Sequence, residues 1–402
     1  MEERRILVAV TGGIAAYKVP ELVRALRRAG HAVRCVLSRE AAHFVSPLVL
    51  QTLTGHRVRS ELLDPGEEGE IDHIALADWA ELVIVAPATA HSLAKLAHGL
   101  ADDLPSAVAL ATRAPLLVAP AMNVNMWRHP ATRANWAVLS ERGVRGVGPE
   151  SGELACGWEG EGRMAEPRAI ADAAALLMGP RRLAGRVVLV TAGGTRERLD
   201  EVRYLGNRSS GKMGFAVAAE AARRGAEVVL VAGPSALETP AGVRRIDVES
   251  AEEMRAALLG ELERAAIVVK AAAVADFRPA LARRDKIRKE ELAEGEGLRL
   301  DLVRNPDILA EVCARKQGRL VVGFAAESGD VVARARRKLA RKGCDLLVAN
   351  DVSRQGSGFD VDTNAVTFVW PGGEVEELPP LGKPEVAAQL WDRIEKLCGA
   401  DR

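Results

Sequence analysis

The sequence predicts two consecutive α/β domains, each built on a doubly wound, mostly parallel sheet. Three observations predict it. A length of 402 residues is too long for one ordinary core and suits two. The same strand–glycine turn–helix–strand grammar opens twice, at Arg5 and again at Gly185. Between the openings, Gly179-Pro180-Arg181-Arg182 follows the helical stretch Pro167–Met178 and marks a join, giving domains of residues 1–180 and 181–402.

The first opening starts with ILVAV after Arg5, an apolar, β-branched run that meets Thr11-Gly12-Gly13. A segment of helical period follows and stops at Gly30, and HAVRCVLS is the next β-rich run. LVIVAPATA (82–90) and APLLVAPAM (114–122) read as further buried parallel strands. The second opening is RVVLVTAGGTRE, then GKMGFAVAAEAARRG and AEVVLVAG, with a longer insertion between turn and helix. Residues 265–277, 320–327 and 344–351 supply its further strands. Ligand sites in such Rossmann-like sheets lie at the carboxyl ends of the strands. Two Gly- and charge-rich stretches, Gly148–Gly162 and Arg283–Gly297, read as surface loops. Each carries a reactive residue, so each is expected to act as a lid.

Composition narrows the function. Apolar residues make up 48% of the chain, enough for two cores, and formal net charge is +0. Mixed charge argues against nucleic acid or an anionic membrane as the main partner. No apolar stretch reaches the roughly 18 residues of a membrane span. The N-terminus runs directly into a strand rather than a secretory signal. The five cysteines are scattered and form no CxxC pair, so neither a disulfide framework nor a zinc site is indicated, and a cytoplasmic location is expected. All seven histidines lie between His31 and His129. The second half must therefore do its chemistry with Lys, Arg, Asp and Asn.

In the first half, Gly12, Gly13 and Ile14 lead into a helix whose backbone N–H groups can hold a phosphate. The turn is neither GxGxxG nor GxxxxGK[ST]. Ser38 after the second strand, and Thr89 within Pro87-Ala88-Thr89-Ala90, add hydroxyls at neighbouring strand ends. This set suits a mononucleotide phosphate better than a dinucleotide.

TGGIAAYK, IDHIALADWA, APATA, PAMNVNMW and ACGWEGEGRM together resemble the flavin-dependent cysteine decarboxylases. The likeness is specifically to the phosphopantothenoylcysteine decarboxylase half of a bifunctional coenzyme A synthesis family. It implies FMN bound by Gly12, Gly13, Ile14, Ser38, Pro87, Ala88, Thr89 and Ala90. An N-acylcysteine has no β-carbonyl to receive electrons when CO2 leaves. Hydride removal from the sulfur-bearing carbon creates a thioaldehyde that serves instead. On this resemblance His73 is the acid/base residue, a task that suits a near-neutral pKa. A lone His is more often a surface or cap residue, and Asn123 by default a turn former. The resemblance instead puts Asn123 on the substrate carboxylate and makes Cys156 a proton donor in the lid. The lid reads GWEGEG where the family more often has GDIGPG.

The second half holds TAGGTRERLDEVRYLGNRSSGKMGFAVA, whose NRSSGKMG lacks Walker spacing. With AAVADF (272–277), KIRK (286–289), NPDI (305–308), VGFAAE (322–327) and RKLARKGCDLLVANDV (337–352), it resembles the phosphopantothenate–cysteine ligase half of the same family. The resemblance implies that a carboxylate attacks the α-phosphate of CTP, giving an acyl-cytidylate that the cysteine amine then opens. Mg²⁺ and cations would neutralise the transferring phosphate. Lys286 is the implied loop cation. Lys338 and Lys342, spaced i, i+4, could share a helix face toward phosphates, although a solvated face is the commoner fate. Ala271, Ala272 and Asp276 would contact nucleotide, and Asp276 also the metal. Asn305, Pro306, Asp307, Ile308 and Phe324 would form the base pocket. Asn207 would bind the acyl intermediate, and Arg203 the substrate phosphate.

The expected partners are thus 4′-phosphopantothenate, cysteine and CTP. The expected assembly is a homo-oligomer, with trimeric contacts for the flavin domain, dimeric ones for the ligase domain, and a dodecamer as their combination. A flavin-binding regulatory subunit and a peptidyl-cysteine decarboxylase are the alternatives. Retention of His73, Asn123 and Cys156 counts against the first, and the fused ligase half counts against both.

Overall fold

The computed structural model describes residues 3–62, 72–154, 157–288, 297–327, 329–351 and 361–399. The chain divides into two compact units, Met1–Met178 and Gly179–Arg402.

The first unit is a five-stranded parallel sheet. Its strands are β1 (Arg5–Val10), β2 (Ala32–Leu37), β3 (Leu82–Ala88), β4 (Leu116–Pro120) and β5 (Arg145–Gly146), in the order β2-β1-β3-β4-β5. Side chains alternate across a strand, and both faces are covered. Ile6, Val8 and Val10 enter one core with Leu22, Leu26 and Ile170, while Leu7 and Ala9 enter the other with Leu93 and Leu104. That is why β1 is apolar at every inward position on both sides. Around the sheet lie α1 (Val19–Arg28), α2 (Pro47–Thr54), α3 (Asp72–Trp79), α4 (Ala90–His98), α5 (Leu104–Ala111), α6 (Val124–Arg128), α7 (Pro130–Glu141) and α8 (Pro167–Met178). Asp103 starts α5 with a reciprocal capping box, its carboxylate accepting from the Ser106 N–H at 2.8 Å.

Two local details depart from the sequence reading. The Gly12-Gly13 turn enters a 3₁₀ turn, Ile14–Lys18, and α1 begins only at Val19. The Gly148–Gly162 stretch is largely a hairpin rather than an irregular loop, with β6 (Glu150–Glu153) antiparallel to β7 (Glu159–Arg163).

The second unit is centred on an eight-stranded sheet. In chain order its elements are β8 (Val187–Ala192), β9 (Arg196–Arg198), β10 (Tyr204–Gly206), α9 (Lys212–Arg223), β11 (Glu227–Ala232), β12 (Val243–Asp247), α10 (Ala251–Leu262), β13 (Ile267–Lys270), β14 (Phe277–Pro279), β15 (Leu302–Arg304), α11 (Ile308–Ala314), β16 (Leu320–Glu327), α12 (Val331–Lys342), β17 (Leu346–Asp351), β18 (Thr363–Asn364), β19 (Val366–Val369), β20 (Val375–Glu377), β21 (Leu381–Gly382) and α13 (Lys383–Gly399). The sheet order is β12-β11-β8-β13-β16-β17-β19-β20. Order reverses beside β8, the strand that opened the unit, and this creates a crevice at its carboxyl end.

The β19–β20 edge is antiparallel. β19 and β20 are a hairpin turned by Pro371-Gly372-Gly373, too short a connection for a parallel crossover. One glycine is required by close packing. A Cβ on Gly214 would lie 2.5 Å from the Cβ of Ala192, so glycine lets α9 rest directly on β8. At the far end of the unit, fully buried Trp391 donates from Nε1 to the Val217 carbonyl at 2.9 Å and fastens α13 to α9.

Candidate active sites

Each unit carries a large cleft at the carboxyl edge of its sheet. The cleft of the first unit has a volume of about 780 Å³, within the range of small-molecule and cofactor sites. Its lining is largely apolar: Ile14, Ala15, Tyr17, Ala121, Met122, Met126, Leu154 and Met164. Gly13, Thr89 and Asn123 join them. The β1 turn brings in Gly13, the end of β3 brings in Thr89, and the end of β4 brings in Asn123.

Thr89 is the N-cap of α4, and its Oγ1 accepts from the Ser92 N–H at 3.2 Å. Asn123 likewise caps α6, its Oδ1 accepting from the Asn125 N–H at 2.8 Å. Gly12 lies behind the wall. A Cβ there would stand 2.4 Å from Glu40 Cβ, so only glycine lets the turn after β1 pass so close to the 3₁₀ turn, Glu40–His43, that follows β2. Ser38 is buried, and its Oγ accepts from the Ala41 N–H at 3.3 Å. Pro87 and Ala88 are buried in β3, and Ala90 opens α4. His73 sits half-buried on α3 and does not line this cleft. Cys156 lies outside the described residues.

The sequence reading named no role for the polar rim of this cleft. Lys18 Nζ pairs with Glu166 Oε1 at 2.9 Å, and Arg163 pairs with the same carboxylate. The two cations hold the Glu166 carboxyl below its ordinary range, with burial opposing them. Lys18 and Arg163 lie inside the quoted TGGIAAYK and GRM motifs, so a signal was present; their partner, 148 residues from Lys18, was not legible.

The cleft of the second unit has a volume of about 800 Å³ and a different character. Its described lining holds seven cationic side chains, Lys212, Lys270, Arg304, Lys338, Arg341, Lys342 and Lys383, against two carboxylates, Asp276 and Asp307. Such a surplus in a concave site attracts a polyanion. The structure gathers Asn207, Ala271, Ala272, Asp276, Asn305, Pro306, Asp307, Ile308, Phe324, Lys338 and Lys342 around it. It does not bring Arg203 or Lys286 to the wall.

Local bonds explain the placement. Asn207 donates from Nδ2 to the carbonyls of Ala273 at 3.2 Å and Val274 at 3.1 Å, which ties the loop after β10 to the loop after β13. Asn305 donates to the Ala275 carbonyl at 2.8 Å, and its N–H donates to the Asp276 carbonyl at 2.9 Å. Asp307 caps α11 and pairs with Lys342. Lys338 reaches Glu327 at 3.7 Å.

Lys286 is exposed, yet its neighbour Ile287 is buried. Asp200 holds that neighbour, accepting from the N–H groups of Val202 at 2.8 Å, Arg203 at 2.7 Å and Ile287 at 3.1 Å. Arg203 Nη1 donates to the Ile287 carbonyl at 3.0 Å and to Asp200 Oδ2 at 3.2 Å. Burial alone would raise the Asp200 carboxyl; the backbone donors Val202, Ile287 and Arg203, then the Arg203 charge, hold it below its usual range. The segment carrying Lys286 is thus moored to the Asp200 turn, with Lys286 itself projecting free of the wall.

Among the described residues no cluster of three or more His, Cys, Asp or Glu side chains could hold a metal ion. No described helix is long and apolar enough to cross a membrane.

Comparison with known proteins agrees with the division into two units. The Flavoprotein family model matches residues 1–178, and the model described as DNA/pantothenate metabolism flavoprotein C-terminal domain matches residues 183–397. Full-length relatives contain both parts. The Coenzyme A biosynthesis bifunctional protein CoaBC of Escherichia coli (strain K12) is 48% identical over 389 residues, covering 96% of this chain and 95% of its own. The protein of the same name from Vibrio vulnificus (strain YJ016) is 45% identical over 397 residues, covering 98% of each chain. That of Bacillus subtilis (strain 168) is 43% identical over 401 residues, covering 99% of this chain and 98% of its own. An apolar cleft in a flavoprotein unit, a cationic cleft in the unit after it, and this end-to-end likeness give one conclusion: the chain belongs to the family of bifunctional coenzyme A biosynthesis enzymes.

Proposed function

We propose that the second unit joins 4′-phosphopantothenate to cysteine at the expense of CTP, and that the first unit then decarboxylates 4′-phosphopantothenoylcysteine with FMN bound. The observation that carries the pairing is the contrast between the two clefts. One is apolar and suits a planar cofactor; the other is lined by seven cations against two carboxylates and suits a triphosphate.

For the ligase, a carboxylate is inert toward an amine near neutral pH and must be activated. Its attack on the nucleotide α-phosphate forms the acyl-cytidylate and releases pyrophosphate. Lys338, Lys342 and Lys286 balance the negative charge that builds on the phosphates, Lys286 reaching them by closure of the loop that Asp200 moors. Asp276 offers one carboxylate to a Mg²⁺ ion that arrives with the nucleotide. Among the described residues Asp276 belongs to no cluster of three or more His, Cys, Asp or Glu side chains that could hold a metal ion, which fits a metal carried mainly by phosphate and water rather than by a protein cage. Asn207, held at the loop after β13, positions the acyl group for attack by the cysteine amine. Arg203 stands by the moored segment and takes the substrate phosphate.

In the first unit the residues fit FMN. Apolar walls accept a flat ring system, and the Gly13 turn with the Thr89 hydroxyl suits one phosphate, with Ser38 buried at the neighbouring strand end rather than on the lining. Bound FMN supplies reversible hydride acceptance, which lets an N-acylcysteine lose CO2. Asn123 anchors the substrate carboxylate, and Cys156 returns a proton to the product; His73, which lies off the cleft of its own chain, moves a proton at the reacting sulfur and carbon from a neighbouring copy. Exposed Ile14, Tyr17 and Met126 at the cleft rim are covered by a neighbouring copy in a trimeric contact. The ligase unit adds dimeric contacts, so that a dodecamer assembles in the cytoplasm.

The test is direct. Purified protein is incubated with 4′-phosphopantothenate, cysteine, Mg²⁺ and either CTP or ATP, and product masses are read with and without added FMN. The expected product is 4′-phosphopantetheine, with CTP preferred and a yellow protein holding one FMN per chain. A colourless preparation that cannot be reconstituted with FMN overturns the decarboxylase reading, and no nucleotide-dependent coupling overturns the ligase reading.

A further inference from the structure

One lysine of the cationic cleft has no part in the chemistry assigned so far. Lys270 ends β13, with Thr191 of β8 and Gly323 of β16 as its register partners. It therefore stands in the middle of the sheet, at the carboxyl edge. Alternation puts it on the face of Val268, under the helical layer that includes α12. Its side chain lines the cleft, and its Nζ donates to the Ala272 carbonyl at 3.3 Å. Among the described residues it forms no ion pair with a carboxylate.

This is a costly arrangement for an empty site. Burial, and then the like charges of Lys338 and Lys342, pull the Lys270 ammonium down to about 8; Asp276 opposes them only weakly. The two other lysines already lean on Glu327 and Asp307 respectively. Lys270 faces the cleft with a carbonyl alone. A partly desolvated cation among cations is destabilising unless an anion completes the set. An apolar side chain would continue the strand without that cost.

We propose that Lys270 is a phosphate-binding residue of the ligase site, its ammonium set on the cleft floor to share the nucleotide's polyphosphate with Lys338 and Lys342. The proposal rests on the nucleotide reading of this cleft. It assigns the floor of the site, where the resemblance named only the alanines that follow.

The experiment compares the full-length wild-type chain with Lys270→Met and Lys270→Arg, titrated calorimetrically with CTP and with cytidine in the presence of Mg²⁺. A lost charge-assisted contact is worth about tenfold or more in Kd. Lys270→Met is expected to weaken CTP at least about tenfold while cytidine moves less than twofold, and Lys270→Arg to recover part of the CTP affinity. Without nucleotide, Lys270→Met is expected to melt at or above the wild-type Tm, because it removes a repelled, desolvated charge. Unchanged CTP affinity overturns the proposal. So does an equal loss for CTP and cytidine, which would mark a packing role. A wild-type chain that binds no nucleotide overturns the reading of the cleft instead.

Discussion

Substituting Gly162 by alanine separates the two units functionally within one molecule. Gly162 lies on β7, and its carbonyl accepts from the Met122 N–H at 2.9 Å. A Cβ on it would stand 2.2 Å from the Met122 carbonyl oxygen, beside the backbone of Asn123. Ordinary contact requires roughly 1 Å more, and neither side is a flexible side-chain end, so the hairpin must lift away from the Met122–Asn123 corner. Overpacking of this kind costs about 1–3 kcal/mol. Losing the hydrogen bond adds about 1 kcal/mol. The total of about 2–4 kcal/mol is enough to unseat the hairpin but below the stability of an ordinary domain.

Met122 and Asn123 line the flavin-unit cleft, and the hairpin carries the Cys156 segment between β6 and β7. A displacement of about 1 Å at reacting groups can cost about 100-fold in rate. Decarboxylation of 4′-phosphopantothenoylcysteine should fall by about that factor, and flavin absorbance per chain should drop. Pyrophosphate release by the ligase unit of the same preparation should stay within about twofold, because Gly162 belongs to the other compact unit. Wild-type decarboxylation with full flavin occupancy would refute the steric reasoning. Equal loss of both activities would refute the division of labour.

Three further outcomes are expected. Lys286→Gln should abolish acyl-cytidylate formation, whereas Asn207→Asp should let that intermediate accumulate in rapid-quench assays; loss at the same step in both would contradict the roles proposed. Asp200→Ala removes the acceptor for three backbone N–H groups and should free the Lys286 segment, lowering ligase kcat/KM about tenfold or more and speeding protease cleavage near Arg283–Arg288, with decarboxylation unchanged. The third concerns acid stability. Burial would raise the Asp103 carboxyl, but bonds from Lys95 at 2.7 Å and Ser106 at 2.8 Å hold it below its ordinary value. A carboxyl depressed in the folded state stabilises at every pH above its unfolded value and loses that contribution as pH falls through the folded one. Asp103→Asn should therefore lower the Tm of the first unit at pH 7 and flatten its decline below about pH 4. A parallel acid limb in wild type and variant would show that Asp103 is not a contributor.

Much of the architecture was legible because its causes are local. VVLV and LVIVAPA are apolar at consecutive positions, as strands covered on both faces require, and glycine turns mark where the opening strand of each unit ends. Residues at strand ends, such as Thr89, Asn123 and Asp276, could be named as candidates because doubly wound sheets place ligands there. Other features were not legible. The Gly148–Gly162 stretch looked like a loop, since ESGE and EGEGR are glycine-rich and polar, yet they pair as strands against the Met122 corner. The antiparallel β17–β19 pairing depends on which strand β19 meets, not on its own residues.

The amino-acid sequence by itself determined the two strand–glycine–helix openings, the confinement of histidine to the first half, and the family to which both halves belong. These follow from residue type and short-range period, the information a linear chain carries directly. Only the tertiary structure decided which charges meet. It brought Glu166 to Lys18 and set Lys270 under Lys338 and Lys342. It also left Lys286 outside the cleft wall while Asp200 moored Ile287 beside it. Charges interact through distance and dielectric, and both are set by how crossover helices pack on the sheet. A lysine on a strand reads as an ordinary polar end until folding strips part of its water and sets two further lysines near it.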